Sequence, residues 1–234
     1  MRKIDKTCNL SVAYRDWEAS IEGNHEKFTD SATRAKYYKD VIMQLFYCQQ
    51  GLCAYTERLL CDDLNFDVSK WEEGKYVGDK PEFEGQVEHF DESLKSKSGE
   101  PEGRKDWLWA NLFMVHSDTN TKVKSSHTIS IDSPLKPDRV DYSPFDFFEG
   151  SIVQERFFFN AKEDLEEDLK EEVELMIAYL GINYGTLPKK RYIELVKRNA
   201  IFSILEDYEI IEYTTTFELF DQREQLTFNL DEVI

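Results

Sequence analysis

The segment Gly85-Gln86-Val87-Glu88-His89-Phe90 decides the reading, together with Asn111-Leu112-Phe113-Met114-Val115-His116-Ser117-Asp118-Thr119-Asn120-Thr121-Lys122. Both pieces are short, apolar and bounded by loop-like sequence, which predicts strand, loop, strand and then the start of a helix. Glu88 and His89 close the first strand and Asn111 opens the second. Ser117 is the expected N-cap, Asp118 and Thr119 open the helix, and Asn120 falls in its first turn. Between the strands, residues 93 to 104 (Ser-Leu-Lys-Ser-Lys-Ser-Gly-Glu-Pro-Glu-Gly-Arg) are the most loop-like in the chain.

Working outward, Leu10 to Ile21 has a helical apolar spacing that ends near Gly23, and Ser31 is placed to cap a longer helix over 32 to 50. Tyr37, Tyr38, Val41, Ile42, Leu45, Phe46 and Cys48 would form its buried side, with Gly51 as the stop. Residues 51 to 58 read as a short strand or a tight knuckle. The acidic, aromatic stretch 62 to 84 lacks a period and reads as an insertion that packs loosely or meets a partner. Ile129 to Phe148, with Pro134, Pro137 and Pro144, reads as an extended wrap. Glu163 to Leu180 is an acidic amphipathic helix, and Pro188 opens another through Leu205. Glu209 to Phe220 alternates weakly, as a strand would, with a helix as the alternative.

Together these predict an α+β fold: a mostly helical single domain, 1–234, with a helical N-terminal part (1–60), a small ββα core (85–125) and a helical C-terminal extension (126–234). The 41% hydrophobic and 14% aromatic content suffices for a core. No apolar run reaches the roughly 18 residues of a membrane span. Met1-Arg2-Lys3-Ile4-Asp5-Lys6 leads into no apolar stretch, so no secretory signal is expected and the protein should be cytoplasmic. Cysteines 8, 48, 53 and 61 are too few and too irregular for a disulfide framework, and free thiols are expected. Cys8, Cys48 and Cys61 read as small buried apolar groups.

An acid, a histidine and two amides in this order can build a one-metal site that cleaves phosphodiesters. Such a reaction needs a base for the attacking water and positive charge on the phosphate. Mg²⁺ or Mn²⁺ takes oxygen ligands, which Glu88 and Asn120 would supply. His89, on the opposite face of the strand from Glu88, would be the general base, with Asn111 holding its loop. Lys122 lies close enough in sequence to touch the same phosphate. Against this stands the charge: 47 acidic residues against 29 basic give −18. An acidic surface repels nucleic acid, so a local basic patch or, preferably, a partner protein must hold the substrate. Lys95, Lys97, Arg104 and Lys105, and in the C-terminal half Pro188-Lys189-Lys190-Arg191 with Lys197-Arg198, are the available patches.

Val87-Glu88-His89-Phe90, Asn111 and His116-Ser117-Asp118-Thr119-Asn120-Thr121-Lys122 resemble the HNH endonuclease motif. Gln50-Gly51-Leu52-Cys53-Ala54-Tyr55-Thr56-Glu57 resembles the segment ahead of many HNH sites. With Met1-Arg2-Lys3-Ile4, Tyr179 to Leu187 and the overall length, the chain resembles the PtuB-type nucleases of Septu and Septu-containing retron anti-phage systems. That resemblance implies a bacterial defence effector acting on DNA or tRNA with a PtuA-like ABC-type ATPase. In retron systems the reverse transcriptase and its msDNA would be further partners. Many relatives hold a structural zinc in two CxxC pairs. Here Cys53 is followed by Thr56 and His116 by Thr119, so structural zinc is not expected; Cys53 and His116 would be its remaining ligands.

His116 also reads as a phosphate contact or, by default, a hydrogen-bonded structural residue. His25 and His127 read as ordinary surface residues. Phe157-Phe158-Phe159 reads as core or partner interface, because no basic residues interleave beyond Arg156. The eroded CxxC pairs and the charge support an alternative: a non-catalytic interaction subunit on an HNH-like scaffold. A weaker third possibility is an acidic mimic of DNA.

Overall fold

The computed structural model describes residues 1–21, 23–61, 68–95, 104–118, 129–202 and 212–222. At the N-terminal end lie α1 (Val12–Ser20) and α2 (Ser31–Cys48). Asp30, not Ser31, caps α2: its carboxylate accepts the Thr33 N–H, and its charge suits the positive end of the helix. The helix stops as its sequence predicts. Gln50 (φ 53°) and Gly51 (φ 71°) turn left-handed, and the Gly51 N–H donates back to the Phe46 carbonyl at 2.9 Å. Tyr37, Val41, Ile42, Leu45 and Phe46 are buried, while Cys48 is half-buried.

The described part of the 62 to 84 stretch is better packed than its composition suggests. Trp71–Glu72 (β1) and Lys75–Tyr76 (β2) form a hairpin, turned by Glu73 (φ 49°) and Gly74 (φ 74°). Tyr76 is buried, and its N–H donates to the buried carboxylate of Asp40 on α2. An aromatic side chain and a satisfied backbone group anchor this insertion, neither of which shows as a period.

Gly85–His89 (β3) and Leu112–His116 (β4) pair antiparallel, with Gly85 opposite His116 and His89 opposite Leu112. Gln49, just past α2, fixes β4 from the side: its carboxamide accepts the Met114 N–H and donates to the Met114 and Leu52 carbonyls. Residues 51 to 59 make a knuckle rather than a strand, closed by a Leu52–Leu59 bridge and docked on β4 through Ala54 N–H to Met114 O.

The wrap from Ile129 is mostly turns and ends in the short helix α3 (Pro144–Phe147). Phe148–Ile152 (β5) and Phe157–Ala161 (β6) then form a third two-stranded sheet that the sequence reading lacks. Phe157 and Phe159 point into the core and Phe158 is half-buried, a period-2 pattern hidden by three identical residues. Gly150 faces this row because a Cβ there would come 2.2 Å from the Phe157 ring. Then come α4 (Glu167–Tyr179), α5 (Leu187–Phe202) and α6 (Thr214–Gln222).

The described part of 209 to 220 is therefore helical, not a strand. The reason is non-local: the Glu57 carboxylate accepts the Thr215 N–H at 3.0 Å and serves as the cap of α6. The described elements share one hydrophobic cluster reaching from Met1 and Ile4 through Phe90 and Phe113 to Leu180 and Phe217. The protein is an α+β single domain with small antiparallel sheets. No helix among the described residues is long and apolar enough to cross a membrane.

Candidate functional site

The β3–β4 hairpin puts Glu88, His89 and Asn111 at one end. Alternation along β3 sends Glu88 and His89 to opposite faces, and both are buried, at 2% and 1% exposure. Asn111 ends a one-turn 3-10 helix (Trp109–Asn111) immediately before β4. Its carboxamide accepts the Asp91 N–H at 2.7 Å and donates to the Asp91 carbonyl at 2.9 Å. Its own carbonyl accepts the Phe90 N–H at 2.9 Å. Asn111 thus grips the chain that follows His89, the role its position implied.

The His89 ring is fixed by a carbonyl. Nε2–H donates to Asp106 O at 2.6 Å, and since a carbonyl only accepts, the proton sits on Nε2 and the lone pair on Nδ1. Phe28 packs edge-on to the ring, with centroids 4.9 Å apart. Burial, and then the nearby Lys95 ammonium, lowers the His89 pKa to about 4, so the imidazole is neutral at pH 7. Lys95, of the predicted basic loop, also pairs with Glu92 at 2.6 Å.

Glu88 shares its face with the aromatic group Tyr55, Phe90 and Phe113. Its charge, after burial itself, helps raise the Tyr55 hydroxyl pKa well above its ordinary value. Asn120, Lys122, Lys97 and His127 lie outside the described residues. Among the described residues no three His, Cys, Asp or Glu side chains converge as a metal cage. A hard cation that keeps several waters needs only one or two protein oxygens, and Glu88 offers one of the right chemistry.

At the other end of the hairpin, the His116 N–H donates to Cys53 Sγ at 3.3 Å, so the two remaining zinc-type residues are adjacent. His116 Nδ1 accepts the Asp118 N–H and its Nε2–H donates to Glu84 at 3.0 Å. Burial and then Arg58 lower its pKa. Both ring nitrogens of His116 are thus hydrogen-bonded within the chain. One thiol and one imidazole, with Thr56 in place of a thiolate, do not fit a tetrahedral zinc site.

Two readings need correcting. His25 is buried, not a surface residue: it is 4% exposed, and its Nδ1 accepts the Trp107 N–H at 2.8 Å. Arg191 does not belong to a basic surface patch. It is 1% exposed, lies over the Phe159 ring at 4.6 Å, and burial lowers its pKa to about 10. Lys190 and Lys197 line a cleft of about 810 Å³ with Arg58, but Glu82, Glu84, Glu194 and Glu212 line it too. Its charge is mixed, so it is no phosphate funnel.

Sequence reasoning passed over Asp91 and Asp106. Asp91 accepts from Ser93 N–H and Oγ–H and from Ile131 N–H, tying the loop after His89 to the wrap. The Asp-x-Ser spacing was a legible turn signal. Asp106 acts through its backbone carbonyl, which no residue type announces. No protein-family model matches the chain, and no curated protein matches it.

Proposed function

We propose that the protein is a metal-dependent HNH-type endonuclease, the effector of a PtuB-like bacterial defence complex. The observation that carries this reading is the end of the β3–β4 hairpin. There Asn111 holds both backbone groups of Asp91, and a neutral His89 is oriented with its lone pair on Nδ1. In this reading the hairpin is the ββ part of a ββα-metal core, whose α part would begin at Ser117 and Asp118.

His89 Nδ1 takes the proton of the attacking water, which requires the neutral ring that burial maintains. Asn111 keeps the His89 loop from moving away as charge develops. Glu88, with Asn120, would hold Mg²⁺ or Mn²⁺, whose chemistry is to neutralise the phosphate and the leaving oxygen. DNA or tRNA is the substrate. Because the charge of −18 opposes phosphate, a PtuA-like ABC-type ATPase holds the nucleic acid, joined in a retron setting by reverse transcriptase and msDNA. The site of action is the bacterial cytoplasm.

The test is cleavage of DNA and tRNA by the protein with its ATPase in Mg²⁺ or Mn²⁺. Loss of a general base should slow His89→Ala by about 10²- to 10⁴-fold, with a cooperative melt showing that the variant folds. Cleavage by folded His89→Ala at the wild-type rate removes the assignment. The burial of Glu88 and His89 favours one second reading, a non-catalytic subunit on the same scaffold. In a phage-protection assay that subunit tolerates His89→Ala and Asn120→Ala, whereas an effector does not.

A further inference from the structure

His89 is oriented by a carbonyl, so whatever fixes that carbonyl fixes the base. The peptide segment 104–107 is tied almost atom by atom to the N-terminal part of the chain. The Arg104 carbonyl accepts the His25 N–H at 3.1 Å. The Trp107 N–H donates to His25 Nδ1 at 2.8 Å, and the Trp107 carbonyl accepts the Tyr14 hydroxyl. The Asp106 carboxylate accepts the Phe28 N–H at 3.0 Å. The Phe28 ring bridges the two parts, 4.9 Å from the His89 ring and 4.5 Å from Trp107. Asp106 O, at the centre of this segment, is the atom that accepts the hydrogen bond from His89 Nε2–H.

We infer that His25 is a positioning residue for His89: by holding the Trp107 N–H it aims the Asp106 carbonyl and so selects the Nε2–H tautomer that leaves Nδ1 to act. The inference rests on the nuclease reading for its purpose, but its geometry stands apart from that reading. His25 can do this only as the tautomer with a lone pair on Nδ1, because a backbone N–H only donates. Burial lowers its pKa and keeps it neutral. Without His25, an unsatisfied buried N–H would pull the peptide toward another partner. Rotating the 106–107 peptide turns the carbonyl away from Nε2–H. The Nε2–H tautomer then loses the hydrogen bond that favours it.

The test compares His25→Asn with His25→Gln and His25→Ala in the full chain. An Asn oxygen reaches the position of Nδ1; a Gln oxygen reaches that of Nε2 and an Ala reaches neither. Long-range ¹H–¹⁵N imidazole spectra at pH 7.5 report the tautomer of each of the four histidines. His89 should be a single Nε2–H tautomer in wild type and His25→Asn, and a mixture in His25→Gln and His25→Ala. In the cleavage assay the latter two should lose about 10-fold in kcat at unchanged KM, with His25→Asn restoring the rate. Mixed tautomers without any cleavage in wild type would keep the brace and sink the nuclease. A pure Nε2–H His89 in folded His25→Gln or His25→Ala overturns the inference. If neither folds, the wild-type protein decides: a ¹⁵N–¹⁵N scalar coupling across the Trp107 N–H···His25 Nδ1 hydrogen bond keeps the brace, and its absence beside a pure Nε2–H His89 overturns the inference.

Discussion

Two buried polar regions flank the β3–β4 hairpin, and they are built differently. Around His89 the holding contacts run to backbone groups, Asn111 on Asp91, Asp106 O on His89 and His25 on Trp107, although the carboxylates of Glu88, Asp91 and Asp106 are buried there too. Around the knuckle the chain buries full charges. The Met1 α-amino group meets the Glu57 carboxylate at 3.0 Å, and burial lowers the pKa of that amine and of nearby Arg191. Burial also pushes the Glu57 carboxyl up, but the Met1 charge and Thr215 more than offset it and hold it below its ordinary range. The hydroxyls of Thr56 and Thr216 have no hydrogen-bond partner among the described residues. Dipoles fix direction at little desolvation cost, which suits a site that must aim one nitrogen. Charges join distant segments, here the N-terminus, the knuckle and α6, but tolerate the loss of a partner poorly.

The sharpest way to break the contrast is Glu57→Leu. It strands the Met1 amine and Arg191 and uncaps α6, and should lower unfolding stability by about 3–5 kcal/mol in urea titration. A loss under about 1 kcal/mol would mean that the charged region holds little.

Acid comes next. His25, His89 and His116 all have folded-state pKa values lowered from 6.5 by burial, His89 to about 4. The unfolded chain therefore binds protons first as pH falls below 6.5, and stability drops between pH 6.5 and about 4. His89 alone accounts for at most about 3 kcal/mol of this. Urea midpoints measured across that window should fall steadily; a flat profile would show that these imidazoles are not buried as described.

Asn111→Ala should cost about 2 kcal/mol, because the Asp91 N–H and carbonyl lose their partner without gaining water. Hydrogen exchange should show faster exchange at the Asp91 amide, with the α2 amides unchanged. Smallest of all, Lys197→Ala removes an exposed pair with Glu194 and should move stability by under about 1 kcal/mol. The knuckle gives the matching null for metal. With Cys53 Sγ already accepting the His116 N–H, a zinc-selective chelator in the presence of excess Mg²⁺ should leave the melting temperature where it was.

Local chemistry made part of this legible. The α2 periodicity and its Gly51 stop, the β3–β4 pair and the Pro188 helix start follow from rules that act within a few residues. Asn111 beside His89 was legible as a spacing, since a carboxamide opening a second strand falls opposite the end of the first. The β5–β6 hairpin was not, because its signal lies in which Phe faces inward. Nor was α6, whose cap comes from a residue 158 positions earlier. His25 gave no hint at all, as its partner is a backbone N–H 82 residues away.

By itself the sequence determined the α+β composition, the hairpin bearing Glu88, His89 and Asn111, and the acidic charge that any reading must accommodate. Only the tertiary structure decided that His89 is buried, which of its nitrogens carries the proton, and that His25 and Arg191 lie inside. Side-chain type and spacing set local conformation; protonation state and burial depend on what packs against a residue from elsewhere in the chain.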